Sequence, residues 1–267
     1  MPTQPYDLST KRDIVLGAGY VYFDPEDASG NLTGEIYLGD GPGFSFSMSA
    51  EKTEIDSSDT PTAETLISIT NKVTRASQVG VRHISEQNLA FFIAGDVSTV
   101  SQTAVAVTNE AHTVLQGRYY QLGSSTTNPS GVRGVGSVVV TNEAGDTTYD
   151  ITDDYLLDTA GGRIFIVEGG AIASAAAQVI HVDYTPVANS RQRVASGTSP
   201  KKGALRFVSD NTAGANREVY FPRVELTPSG EAPMKDRANP VELSFDVSVL
   251  TRSGYQQVYI DGVAVAT

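Results

Sequence analysis

The feature that most constrains this chain is strict two-residue alternation. Glu242-Leu243-Ser244-Phe245-Asp246-Val247-Ser248-Val249 alternates polar and apolar residues throughout, the period of a half-buried β-strand. Phe44, Phe46 and Met48 alternate with Ser45, Ser47 and Ser49 in the same way. Shorter runs predict strands at Leu66–Thr70, Ser137–Thr141, Arg163–Val167, Val179–Tyr184, Leu205–Val208, Glu218–Leu226, Val241–Leu250 and Gln256–Ile260. Turn-forming clusters separate them at Asn142–Asp146, Asp158–Gly162, Asp210–Gly214 and Pro228–Gly230. One segment has helical spacing: Ser85 as N-cap, Glu86 in the first turn, Leu89, Phe92 and Ile93 on one face, and Gly95 as the stop. The expectation is an all-β chain, built as a two-sheet sandwich or barrel with one short helix at about 85–94.

The 267 residues suit one large all-β domain or two small ones. With no cysteine there is no disulfide, thiolate metal site or cysteine nucleophile. The three histidines, His83, His112 and His181, are far apart in sequence, a poor start for a metal site. A net charge of −12 repels nucleic-acid phosphates and argues against general DNA binding. The first residues, MPTQPYDLSTKRD, lack the apolar run of a signal peptide. The longest apolar stretch, Leu89–Ala94, is far short of the ~20 residues of a membrane helix. A soluble protein, cytoplasmic when made, is expected.

Charge is spread unevenly. Residues 141–187 hold eight acids against Arg163, whereas residues 188–223 hold seven bases against Asp210 and Glu218. Between these segments, Asn189–Lys202 is polar and basic, like a linker or exposed loop. A second break falls near Val97–Thr103. The expected organisation is a parent β-domain made of residues 1–103 and 189–267, interrupted by a small β-sandwich at 104–188.

Motifs for chemistry are sparse. Gly131-Val132-Arg133-Gly134-Val135-Gly136 has its glycines in the wrong order for a dinucleotide site and precedes a strand, and Gly17-Ala18-Gly19 is a bare GxG. Both read as loops. Asp153, Asp154 and Asp158 have oxygen ligands for calcium, but Leu156 and Leu157 interrupt them. A carboxylate pair for glycoside hydrolysis needs a facing geometry that sequence does not show, and no tryptophan offers a sugar platform. No GxSxG accompanies a candidate Ser-His-Asp set. The reading is a non-enzyme with no catalytic residue, cofactor or metal. Glu51–Glu64 (EKTEIDSSDTPTAE) is different: a long acidic stretch between two strand patterns, read either as a solvated hairpin tip or as an arm that contacts a partner.

The run FSFSMSAEKTE, the loop IDSSDTPTAET, the strands LISITNKVTRASQVGVRHI and the helix start Ser85-Glu86-Gln87-Asn88-Leu89-Ala90 resemble phage major tail tube proteins of the long non-contractile type. Gln87 stands where that pattern usually has Glu. Tyr155–Tyr184 resembles the hairpin pattern of a β-insert found in some of these proteins, and Leu205–Asn211, Val219–Val224 and Leu226–Gly230 resemble their closing strands. The resemblance implies a virion protein, made in the host cytoplasm, whose copies form hexameric rings that stack into a tail tube. It implies partners in its own copies and in tape measure, terminator and distal tail proteins, with DNA only as transient cargo and no membrane insertion. An acidic lumen would let the genome slide. On this reading Glu51, Glu54, Asp56, Asp59 and Glu64 belong to the loop between subunits or rings. Arg191, Arg193, Lys201 and Lys202 form a basic assembly patch, and the insert decorates the exterior. The competing expectation is a capsid decoration or adhesin-like binding module that does not polymerise.

Overall fold

A computed structural model describes residues 14–59 and 61–262, so the reading of the first 13 residues lies outside the described part. The fold is nearly all β, with one helix. In chain order the elements are β1 (Gly19–Pro25), β2 (Ile36–Tyr37), β3 (Phe44–Asp56), β4 (Thr65–Val81), α1 (Glu86–Phe92), β5 (Asp96–Gln102), β6 (Val107–Val114), β7 (Tyr119–Gln121) and β8 (Val135–Asn142). They continue as β9 (Tyr155–Asp158), β10 (Arg163–Ile166), β11 (Gln178–Pro186), β12 (Asn189–Ala195), β13 (Lys201–Ser209), β14 (Arg217–Ser229), β15 (Leu243–Val249) and β16 (Tyr259–Gly262).

The chain divides into two compact units, one made of residues up to Ser98 and from Val194 onward, the other of Thr99–Arg193. The expected insert, 104–188, lies inside the second unit. Its expected boundaries are not loops: Val97–Thr103 falls largely in β5, and the basic stretch 189–202 contains β12 and the start of β13. β5 and β12 pair as a two-stranded sheet. Their polar sequences hid them, because a ribbon with little burial shows no apolar period.

The first unit is one antiparallel sheet in the order β2-β1-β13-β14-β15-β4-β3, with β16 beside β14. The sheet folds over on itself: the Phe44 ring of β3 stacks on Phe207 of β13 at 4.7 Å. Residues 38–43 bridge the fold, with the Leu38 N–H donating to the Val21 carbonyl and the Arg82 N–H to that of Asp40. Gly41 is needed here, since a Cβ on it would lie 1.8 Å from the Gly80 carbonyl oxygen. Phe23, Phe91, Phe221 and Phe245 are fully buried in this core; each such burial stabilises by about 1.5–3 kcal/mol.

Ser85 caps α1, its hydroxyl accepting from the Asn88 N–H at 3.1 Å. The buried face is only partly the one expected. Leu89 and Phe92 pack half-buried against the core, but Ile93 is exposed, and Asn88, Ala90 and Phe91 are the buried residues. The cause is Asn88, whose amide donates to the carbonyls of Leu38 and His83, at 2.8 Å each. Those bonds turn the helix so that its polar anchor faces inward.

The second unit has two three-stranded sheets, β7-β10-β9 and β6-β11-β8, around a core that includes Val114, Leu122, Ile164, Ile166, Ile180 and Val182. Glu110 links them. Its carboxylate accepts from the Gly123 N–H at 2.9 Å and from the Tyr184 hydroxyl, and His112 Nε2 lies 2.9 Å away. Burial pushes the Glu110 carboxyl up, but the bonds from His112, Tyr184 and Gly123 outweigh it and hold the group below its ordinary value.

Two predictions follow from these polar anchors. Asn88→Ala leaves two carbonyls without their donor and should lower the stability of the first unit by about 1–3 kcal/mol in urea denaturation. Because the folded-state pKa of Glu110 is depressed, its stabilisation of the second unit is complete above the ordinary glutamate pKa of about 4.3 and is lost as pH falls below it. Glu110→Gln should flatten that acid limb in pH-dependent unfolding of the second unit.

Candidate functional site

The pairing of β15 with β4 runs from Leu243 opposite Val81 to Ser248 opposite Ala76 and stops there. From Arg75 outward, β4 has only β3 as a partner, and β3 is the last strand of the sheet. The result is a long two-stranded ribbon, paired from Phe44–Val79 to Asp56–Thr65, that leaves the body of the unit. A ribbon of two strands is marginal in water by itself. Local bonds hold its end: the Ser57 N–H donates to the Glu64 carbonyl at 2.7 Å, and the Thr65 hydroxyl to Asp56 at 3.1 Å.

The stretch expected as a loop, Glu51–Glu64, is strand as far as Asp56 and a connection beyond it. Glu51, Glu54 and Asp56 lie on β3, while Asp59 and Glu64 lie in the connection to β4. The outer end of β3 shows no apolar alternation because polar residues fill positions that no sheet covers.

Large apolar side chains are exposed along this ribbon: Met48 is 63% exposed, Leu66 65% and Ile67 53%, and Ile55, Ile69 and Val73 are exposed too. Directly paired residues share a face. Near the root, Phe46, Met48 and Val73 lie on the face that Phe44 turns to the core, and the Phe46 ring packs against Phe221 at 5.6 Å. Asn71 is then an extra residue in β4, between Lys72 opposite Glu51 and Thr70 opposite Lys52. Beyond this bulge Ile55 pairs with Ile67, and Thr53 with Ile69, on the other face. Apolar side chains thus occur on both faces of the ribbon, which makes it the candidate interaction surface.

The other end of the same sheet is covered. Along β1, Glu26 bridges Leu32, the Thr33 N–H donates to the Pro25 carbonyl, β2 pairs at Tyr22 and Phe23, and the Leu38 N–H donates to the Val21 carbonyl. The long open edge is that of β3, and such edges invite pairing with another chain.

Each residue of the expected basic patch has partners within its own unit. Arg191 and Arg193 of β12 are engaged by the loop of the second unit, with Arg191 donating to the Gly131 carbonyl at 2.7 Å and both reaching Asn128. Lys201 pairs with Asp96 at 2.7 Å and Lys202 with Glu225 at 3.6 Å. Arg206 and Arg223 of the basic segment likewise pair with Glu35, Glu218 and Glu26 inside the first unit. The carboxylates weighed for calcium have partners of their own: Asp154 accepts from the N–H groups of Asp150 and Ala171, and Asp158 pairs with Arg163. Among the described residues no cluster of three or more His, Asp or Glu could hold a metal. No helix among them is long and apolar enough to cross a membrane.

An all-β chain with an apolar ribbon at one sheet edge is the class this geometry defines. The chain belongs to the family described as protein of unknown function UCP028589, whose model matches residues 14–251. No curated protein matches it.

Because Ile67 and Ile69 bury little within the subunit, replacing both with Thr should change its stability by no more than about 0.5 kcal/mol. Urea denaturation at concentrations where the protein is monomeric checks this.

Proposed function

We propose that this protein is a structural subunit that assembles with its own copies into rings and stacked tubes, as the tail tube of a phage. The observation that carries the reading is the apolar ribbon beyond Ala76, which one subunit leaves uncovered. Covering it in a second copy removes its apolar surface from water, at roughly 25 cal/mol per Å². A contact between this ribbon and a different surface of a second copy is head-to-tail. Such contacts close into rings when the rotation permits.

The net charge of −12 suits a conduit that must not hold DNA. The resemblance of the ribbon and α1 sequences to tail tube proteins supports the same reading. It names the further partners: tape measure, terminator and distal tail proteins, within a virion. No step of this function calls for catalysis.

Negative-stain electron microscopy and light scattering of the purified protein at raised concentration test the reading. Hollow rings or tubes are expected, and Ile67→Asp with Ile69→Asp should abolish them while leaving the circular dichroism spectrum unchanged. Particles that stay monomeric or trimeric at every concentration would overturn it in favour of a decoration or adhesin-like module.

A further inference from the structure

We infer that the outer ribbon of one copy docks in a cleft beside β1 and β13 of another copy; this rests on the self-assembly reading above and names the surface that receives the ribbon. The cleft has a volume of about 410 Å³ and is lined by Val15, Gly17, Gly43, Phe44, Phe207 and Arg217, among others. Its walls are largely backbone and apolar side chain. At Gly17 and Gly43 an added Cβ would meet nothing within 4 Å. These two glycines therefore do not serve close packing inside the subunit. They leave open a space that the Ile55–Ile67 pair could enter.

The occupant is a second copy for a geometric reason. Phe44 lines the cleft and is also the first residue of β3. Ile55 is on the same strand, which at about 3.3 Å per residue puts it roughly 35 Å further along an extended chain. A paired strand does not double back over that distance, so a subunit's own ribbon end cannot fill its own cleft.

Charge favours the same match. The ribbon carries Glu51, Glu54, Asp56, Asp59 and Glu64 against Lys52 and Lys72. At the cleft, the exposed Arg217 side chain has no ion pair among the described residues. Opposite charges at the rim would guide the encounter and set its register.

The absence of native cysteine makes the test direct. Ile67→Cys, placed on one affinity-tagged protein, is mixed with Ala215→Cys on an untagged one, Ala215 being an exposed residue of the cleft wall. The mixture is assembled and then oxidised. A disulfide-linked heterodimer on a non-reducing gel is expected, well above the yield when Ser137→Cys of the second unit replaces Ala215→Cys. Gly43→Leu, whose Cβ would meet nothing within 4 Å, should raise the concentration for half-assembly at least tenfold. Rings or tubes that form without the heterodimer, and with Gly43→Leu assembling like the parent, would overturn the docking while the assembly reading stands. A parent protein that never multimerises overturns both.

Discussion

The architecture of the first unit turns on where one strand pairing ends. β15 covers β4 only as far as Ala76, so everything β3 and β4 build beyond that point depends on their own cross-strand bonds. Inside this limit, the sheet is thick enough to bury Phe221 and Phe245 and to gain from packing. Outside it, the same two strands carry Met48, Ile55 and Ile67 into water. A ribbon of two strands gains stability only when its apolar side chains are covered.

Polar anchors shape the rest. Asn88 fixes α1 by its bonds to Leu38 and His83, and so ties the helix to the segment that bridges the folded sheet. Gly41 lets that bridge run against the Gly80 carbonyl. In the second unit, Glu110 gathers Gly123, Tyr184 and His112. Each is a buried or half-buried polar group with its partners in place, which costs little when complete and much when broken.

The elements legible in the sequence are those whose burial differs between two faces. Leu243–Val249 alternates because Leu243, Phe245 and Val247 are buried while Asp246 and Ser248 face water. Ser85 announced α1 because a cap acts within one turn. The helix's inner face was legible only in Leu89 and Phe92, since Asn88 is buried for its hydrogen bonds and not for its hydropathy. β12 and the outer half of β3 were not legible: β12 half-buries polar side chains such as Arg191 and Arg193, and the outer half of β3 is exposed on both faces, so neither has an apolar period to read. Arg191, Arg193, Lys201 and Lys202 read as a patch because sequence proximity says nothing of partners such as Asn128, Gly131 and Asp96, which lie far away in the chain.

The sequence by itself determined that the chain is all-β, that it has a single capped helix and no cysteine, and that it is strongly acidic. Local alternation, capping and composition are properties of neighbours along the chain. Only the tertiary structure decided which strands lie side by side, where the β15–β4 pairing stops, and which acids neutralise which bases. It alone also showed that Gly17 and Gly43 border an open cleft while Gly41 is pressed against backbone. Those are relations between residues distant in sequence, set by the register and folding-over of one sheet, and no local pattern encodes them.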